Sequence, residues 1–315
     1  MSSSQAGSRA GDQSGGNSSL KGPLLMAAAM GGFAIEDAFI KTLSASVPPG
    51  EVGLALGLGG ALAFWVALRR KGERFLDPRA IRGAALMRNV MEMCAAMCMI
   101  LAVALVPLSV VSSILQAMPL AVTLGAALFL KESVGWRRWT AILVGFGGVL
   151  LILRPGTQGF DALALIPLAA VFFLSARDIA TRKVDPTISS LQLSAWGFFS
   201  VVPGGILLLL IRGESLVMPT PVEALLMALT VAVGMGAYVM LVLSTRLGDI
   251  ASTTPFRYAR LLFAMLIGVI VFGERPDALT LIGSAVIVGA GLYTLMREIR
   301  LNRKPVPTPE TATLP

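Results

Sequence analysis

Histidine is absent from this chain, and only two of its 315 residues are cysteine. Without an imidazole there is no His-Glu zinc motif and no Ser-His relay. Cys94 and Cys98 stand four apart inside one apolar run, which neither frames disulfides nor holds a metal; packing on a helix face accounts for them. Charge is equally scarce. Asp, Glu, Lys and Arg make up 14% of the chain and hydrophobic residues 55%, whereas soluble domains carry about 25% charged residues. A soluble core is therefore excluded, and the mean hydropathy of +0.78 marks an integral membrane protein. There is no phosphate-binding loop, no Gly-x-Ser-x-Gly elbow and no set of acids at metal spacing. An ATP-driven pump and a membrane-embedded enzyme are left without support, and no metal or cofactor is expected. The net charge of +8 implies no nucleic-acid partner, because the placement of the charges explains it.

What the chain has instead is long apolar runs. Runs of about 17–25 residues span a bilayer as helices, and ten are read here: 24–46, 51–68, 83–105, 108–130, 138–154, 161–181, 190–211, 223–245, 250–272 and 279–296. The Ser- and Gly-rich stretch 1–21 and the Pro-rich tail 299–315 are expected to lack order. With ten spans, eighteen lysines and arginines fall on the side of the termini and three, Arg154, Arg212 and Arg275, on the other. The positive-inside rule then puts both termini in the cytoplasm.

The chain also repeats itself. Ser113–Glu132, SILQAMPLAVTLGAALFLKE, aligns with Pro255–Glu274, PFRYARLLFAMLIGVIVFGE, at a shift of 142. FAIEDAFIK (Phe33–Lys41) echoes LSARDIATR (Leu174–Arg182) at a shift of 141, with Asp37 opposite Asp178 and Lys41 opposite Arg182. The expected fold is an all-α membrane protein of ten transmembrane helices in two five-helix repeats, 22–155 and 156–298. An odd number of spans per repeat inverts the second relative to the first, an arrangement that places a binding site near the midplane between the halves.

Ionisable residues inside spans are costly and mark function. Here they are Glu36, Asp37 and Lys41 in the first span, Arg88 and Glu92 in the third, Arg177 and Asp178 in the sixth, and Arg257 and Arg260 in the ninth. Asp37–Lys41, Arg88–Glu92 and Asp178–Arg182 are i,i+4 pairs, which either neutralise each other structurally or serve a solute. Adjacent Glu36 and Asp37 cannot share one basic partner, so one of them is a candidate proton-coupling carboxyl. Pro255 is expected to break the ninth helix and Pro119 the fourth. Gln116 lies opposite Tyr258 at the repeat shift. Trp196 and Tyr238 either stack a planar substrate or anchor at the interface. The deeper Arg260 is expected on the substrate and Arg257 at a gate, with Tyr258 flanking the cavity; the alternative is that both arginines snorkel to the interface. The glycine groups Gly57, Gly59 and Gly60, Gly145, Gly147 and Gly148, and Gly283, Gly289 and Gly291 are expected to let helices approach closely.

The Phe33-x3-Asp37-x3-Lys41 start, the PFRYxRLLFAxxxGxxxFGE span and the glycine-rich last span, in this order over residues 22 to 298, resemble the EamA family of the drug/metabolite transporter superfamily. Glu36 departs from that family's pattern, which has an apolar or small residue there. The resemblance implies a bacterial inner-membrane carrier of a small metabolite, such as an amino-acid derivative, S-adenosylmethionine or riboflavin. Its partners would be that substrate and membrane lipid, with a homodimer left open. The competing reading is a structural or regulatory membrane subunit without transport.

Overall fold

A computed structural model describes residues 14–131, 135–247 and 253–302. Among these described residues eleven α-helices form ten candidate spans. They are α1 (Ser14–Leu43), α2 (Pro49–Arg70), α3 (Gly83–Leu105), α4 (Leu108–Leu115), α5 (Met118–Phe129), α6 (Trp136–Leu153), α7 (Leu165–Thr181), α8 (Ser190–Arg212), α9 (Pro221–Leu247), α10 (Ala259–Phe272) and α11 (Ala278–Asn302). Helices α4 and α5 share one span, and a 3-10 segment, Thr254–Tyr258, leads into α10 to make another. The third span, 83–105, matches the apolar run residue for residue, and the others agree to within a few residues. Two expectations at the ends need correction. Helix α1 begins at Ser14, inside the stretch read as lacking order, and α11 continues to Asn302. Glu132 and the expected start of the ninth span at 250 lie outside the described residues.

The two breaks in the span pattern fall at matching places. The fourth span is interrupted at Gln116–Ala117, with Pro119 in the first turn of α5, where a missing N–H costs nothing. The ninth opens as a 3-10 turn around Pro255 that ends at Tyr258. Gln116 and Tyr258 are 142 apart, so each repeat carries its irregularity at the same point. Both spans also close on a left-handed residue 142 apart, Lys131 at φ 54° and Gly273 at φ 64°.

Two of the crossings between the halves depend on glycine. A Cβ on Gly50 of α2 would lie 2.6 Å from the Gly205 carbonyl oxygen of α8, and one on Gly205 would lie 2.6 Å from that of Gly50. Gly148 of α6 and Gly283 of α11 meet in the same reciprocal way, at 2.8 and 2.6 Å. Any side chain there would force the backbones apart. Of the glycines expected to pack, Gly147 and Gly289 have nothing within 4 Å of an added Cβ and serve no such approach. Large apolar side chains such as Leu128, Leu210 and Ile270 cover the outside, as lipid requires. All but one residue of the short α4 are buried, so the polar groups of this span need partners inside the protein.

Candidate functional site

Charged side chains inside the bundle gather in two clusters. The first joins α1 to α10. Arg260 Nη2 donates to Asp37 Oδ2 at 2.7 Å, and the guanidinium stands over the Phe33 ring, 5.4 Å from its centroid. Asp37 is buried. Glu36 turns instead toward α9, where its carboxylate fills the space a Cβ on Gly234 would need, 2.3 Å from Oε1. Among the described residues Glu36 has no hydrogen bond and no ion pair within 4.0 Å, whereas Asp37 is held by Arg260.

The second cluster joins α3 to α7. Glu92 bridges two guanidiniums: Arg88 Nη2 donates to Oε2 at 3.1 Å and Arg177 Nη1 to Oε1 at 3.0 Å. Arg177 also donates from Nη2 and Nε to Asp178 Oδ1, at 2.8 and 2.9 Å. Arg88 adds a bond to Asn89 Oδ1 at 3.0 Å and lies against Gly197 of α8. Arg257 is exposed at the start of the ninth span, with Asp178, Arg177 and Tyr258 as the charged and titratable groups that act on it. Glu92 lies nine residues into α3, about 13 Å along it, so the cluster sits well inside a hydrocarbon core of about 30 Å. The Nε–H groups of Arg88 and Arg260 are buried without an acceptor.

The repeat relates these clusters. At the observed shifts Glu36 corresponds to Arg177 and Gly234 to Glu92. The contact between Glu36 and Gly234 is thus the counterpart of the ion pair between Arg177 and Glu92. Both contacts run between the repeats: one is a closed salt bridge, and its counterpart is an acid facing a glycine.

A third polar group closes the bundle at the end away from the termini, and sequence reasoning missed it. Glu274, just past α10, accepts from Leu108 N (2.7 Å), Ser109 N (3.0 Å) and Ser109 Oγ (2.8 Å) at the start of α4. Lys41 Nζ stands 3.6 Å from Glu274 and donates to the Val106 carbonyl at 2.8 Å. Behind it Ser113 donates to the Ser109 carbonyl, and Ser284 Oγ of α11 lies 2.6 Å from Ser113 Oγ. A glutamate closing an apolar run was visible in both repeats; that it caps a helix 166 residues away was not.

Several expected pairings are replaced. Lys41 pairs with Glu274 rather than with Asp37, because Arg260 reaches Asp37 first and Lys41 lies one turn nearer the end. Asp178 takes its bonds from its neighbour Arg177 rather than from Arg182. Trp196 is 4% exposed, and its indole N–H donates to the Phe75 carbonyl at 2.8 Å; it fixes the loop between α2 and α3 and has no open face for stacking. Tyr258 is buried, with its hydroxyl over Gly291 of α11, so it seats the ninth span instead of flanking a cavity. Tyr238 stacks edge-on against Phe64 and Phe198, bonds through its hydroxyl to Ser194, and lies close enough to act on Arg88. Gln116 is buried at the break in the fourth span. The Arg88–Glu92 pair forms as the i,i+4 spacing implies.

Ten spans in two inverted repeats, with ion pairs held at membrane depth, define a multi-pass membrane protein of the inverted-repeat class. The model of the EamA-like transporter family matches twice, over residues 20–154 and 162–296, and the chain belongs to that family. A riboflavin transporter of Rhizobium johnstonii is 29% identical over 204 residues, 64% of this chain and 66% of that protein. An S-adenosylmethionine uptake transporter of Rickettsia felis is 26% identical over 63% of this chain and 67% of its own. The match to the riboflavin transporter thus takes in a little under two thirds of that relative. A pseudopaline exporter of Pseudomonas aeruginosa is 26% identical over 85% of this chain and 94% of its own. A crystal structure with 20% identity shares the fold at a TM-score of 0.59, covering 90% of this chain and 99% of the other.

Proposed function

We propose that the protein is a secondary transporter that moves a small polar or amphipathic metabolite across the bacterial inner membrane by alternating access, with both termini cytoplasmic. The observation that carries this reading is the pair of charged clusters at membrane depth between two inverted repeats. A purely structural subunit has no use for Glu92 with two guanidiniums, since buried pairs add little net stability. The relatives named for riboflavin, S-adenosylmethionine and pseudopaline support a small metabolite as the substrate.

Arg260 is the substrate-contacting arginine in this reading. Its planar fork suits a carboxylate or phosphate, and its spare Nε–H is a ready donor. Substrate that engages Arg260 competes with Asp37, loosens α1 from α10 and shifts the balance between access states. Glu36, without a cationic partner, is the carboxyl that binds and releases a proton during the cycle. The closed Glu274–Lys41 group holds the periplasmic end in the present state.

The test is uptake of labelled riboflavin and S-adenosylmethionine into proteoliposomes, with and without an inward proton gradient. Transport of one of them, weakened in apparent affinity by Arg260→Lys at equal expression, is expected. Transport with unchanged affinity and rate in both Arg257→Lys and Arg260→Lys would make these residues depth anchors. No movement of any solute, alongside normal folding, would favour a subunit without transport.

A further inference from the structure

Between helices α6 and α11, toward the end of the bundle that carries the termini, lies a concave slot of about 330 Å³. The Gly148–Gly283 contact holds the two helices together further along. Ala290 forms part of the floor and is buried. The slot opens sideways, next to Leu143 and Val144, which are 67% and 55% exposed, so its mouth is on the lipid-facing surface. It runs from Trp136 to Val144, eight residues of helix or about 12 Å. That length reaches from the interfacial layer well into the hydrocarbon.

The rim is built differently from the floor. Trp136 and Tyr293, 70% and 48% exposed, stand on either side. The Arg137 guanidinium lies over the Trp136 ring at 5.3 Å. From α11, Arg297 Nη2 comes within 3.8 Å of where a Cβ on Gly135 would stand, so the two guanidiniums approach the same rim from opposite helices. Among the described residues neither has an ion-pair partner within 4.0 Å. A lone Trp, Tyr or Arg at this depth is an ordinary interfacial anchor. Two guanidiniums at one end of an apolar slot, Arg137 on its lining and Arg297 beside Gly135, are more than that, because they match a ligand with an anionic head and an apolar tail.

We propose that this slot seats one anionic glycerophospholipid, with its phosphate between Arg137 and Arg297 and one acyl chain along Val144 and Ala290. The glycerol backbone then lies at the level of Trp136 and Tyr293, where indole and phenol rings favour the interfacial layer. A zwitterionic lipid of the same chain length fills the slot equally but brings no net charge to the rim. This seat is independent of the transported solute, since none of its residues touches either charged cluster.

Native mass spectrometry of the purified full chain, titrated with phosphatidylglycerol and phosphatidylcholine of equal chain length, tests the seat. One phosphatidylglycerol per chain is expected to be retained in preference to phosphatidylcholine. The double variant Arg137→Gln/Arg297→Gln should weaken phosphatidylglycerol retention about thirty-fold, taking the typical contribution of one basic residue near an anionic lipid surface twice. It should leave phosphatidylcholine unchanged. Val144→Trp, at an exposed position that tolerates bulk, should block retention with both guanidiniums in place. Equal retention of the two lipids overturns the proposal, as does retention indifferent to both variants. Loss in the arginine variant with Val144→Trp unaffected would reduce the effect to surface charge and overturn the seat. A dimer that dissociates in the variants while lipid retention stays constant would identify the slot as a subunit contact instead.

Discussion

Replacing Glu92 by glutamine isolates the contribution of the α3–α7 bridge. Glu92 receives a hydrogen bond from Arg88 at 3.1 Å and another from Arg177 at 3.0 Å. Glutamine has almost the same shape but no charge, and it presents only one acceptor oxygen to two donors. Arg177 keeps Asp178 at 2.8 Å. Arg88 keeps only the side-chain oxygen Oδ1 of Asn89 at 3.0 Å, and its Nε–H already lacks an acceptor. Breaking a buried pair from one side costs about 3–5 kcal/mol, largely because the remaining charge is left unpaired. The cost of Glu92→Gln should therefore sit mostly on Arg88 and little on Arg177. Thermal unfolding of the detergent-solubilised protein, followed by tryptophan fluorescence, measures this in a double-mutant cycle. Glu92→Gln should lower the midpoint clearly. Adding Arg88→Gln should recover at least half the loss, whereas adding Arg177→Gln should recover less, because it strands Asp178 in turn. Equal recovery by the two second-site changes would refute the assignment of the cost to Arg88. A midpoint for Glu92→Gln within error of the wild type would refute the claim that the bridge is desolvated at all.

Asp37→Asn should lower both the unfolding midpoint and the uptake rate at equal expression, because Arg260 then loses its carboxylate; Glu36→Gln should keep the midpoint and abolish only the response of uptake to a proton gradient. Gly205→Val should destabilise the protein by about 1–3 kcal/mol or more, since its Cβ meets the Gly50 carbonyl at 2.6 Å, while Gly147→Ala, with nothing within 4 Å, should be neutral or slightly stabilising in the same melt. At the end away from the termini, hydrogen bonds from Arg154 and Thr280 hold the Asp277 carboxyl down to about 2. Its stabilisation is present above the ordinary aspartate value of about 3.9 and disappears as pH falls through about 2, so Asp277→Asn should flatten the acid limb of midpoint against pH between those values.

The spans were legible because lipid demands long apolar runs, and the repeat because a duplicated chain keeps Gly147 with Gly289, Asp37 with Asp178 and Glu132 with Glu274 in step. Arg88 with Glu92 was legible because one helical turn settles the geometry locally. What could not be read was which distant group meets a given charge. Arg177 reaches Glu92 across 85 residues and Glu274 reaches Leu108 across 166; spacing within one helix carries no information about either. Lys41 shows how a local rule fails. Asp37 is its correct i,i+4 neighbour, yet the helix arriving from the other repeat offers Asp37 a guanidinium and Lys41 a carboxylate, and the local pair gives way. Trp196 and Tyr258 lie in the spans read for them, but the direction each faces was not legible, because an aromatic residue in an almost uniformly apolar segment leaves no periodic signal to orient it.

The crossings at Gly50 with Gly205 and at Gly148 with Gly283 bear on how such a bundle can move. Ordinary helix pairs mesh like gears, ridge into groove, and a change of angle must lift each tooth over the next. Where backbone rests on backbone the teeth are fewer, with Leu54, Leu209, Ile152 and Ile287 beside the contacts. Both contacts join one repeat to its inverted copy, so they act as smooth journals on which the halves can turn. Resistance to that rotation then lies elsewhere, in a few polar catches such as Glu274 on the first turn of α4. A protein built this way can change shape quickly while remaining dry at its pivots, and its speed is set by how readily a handful of hydrogen bonds let go.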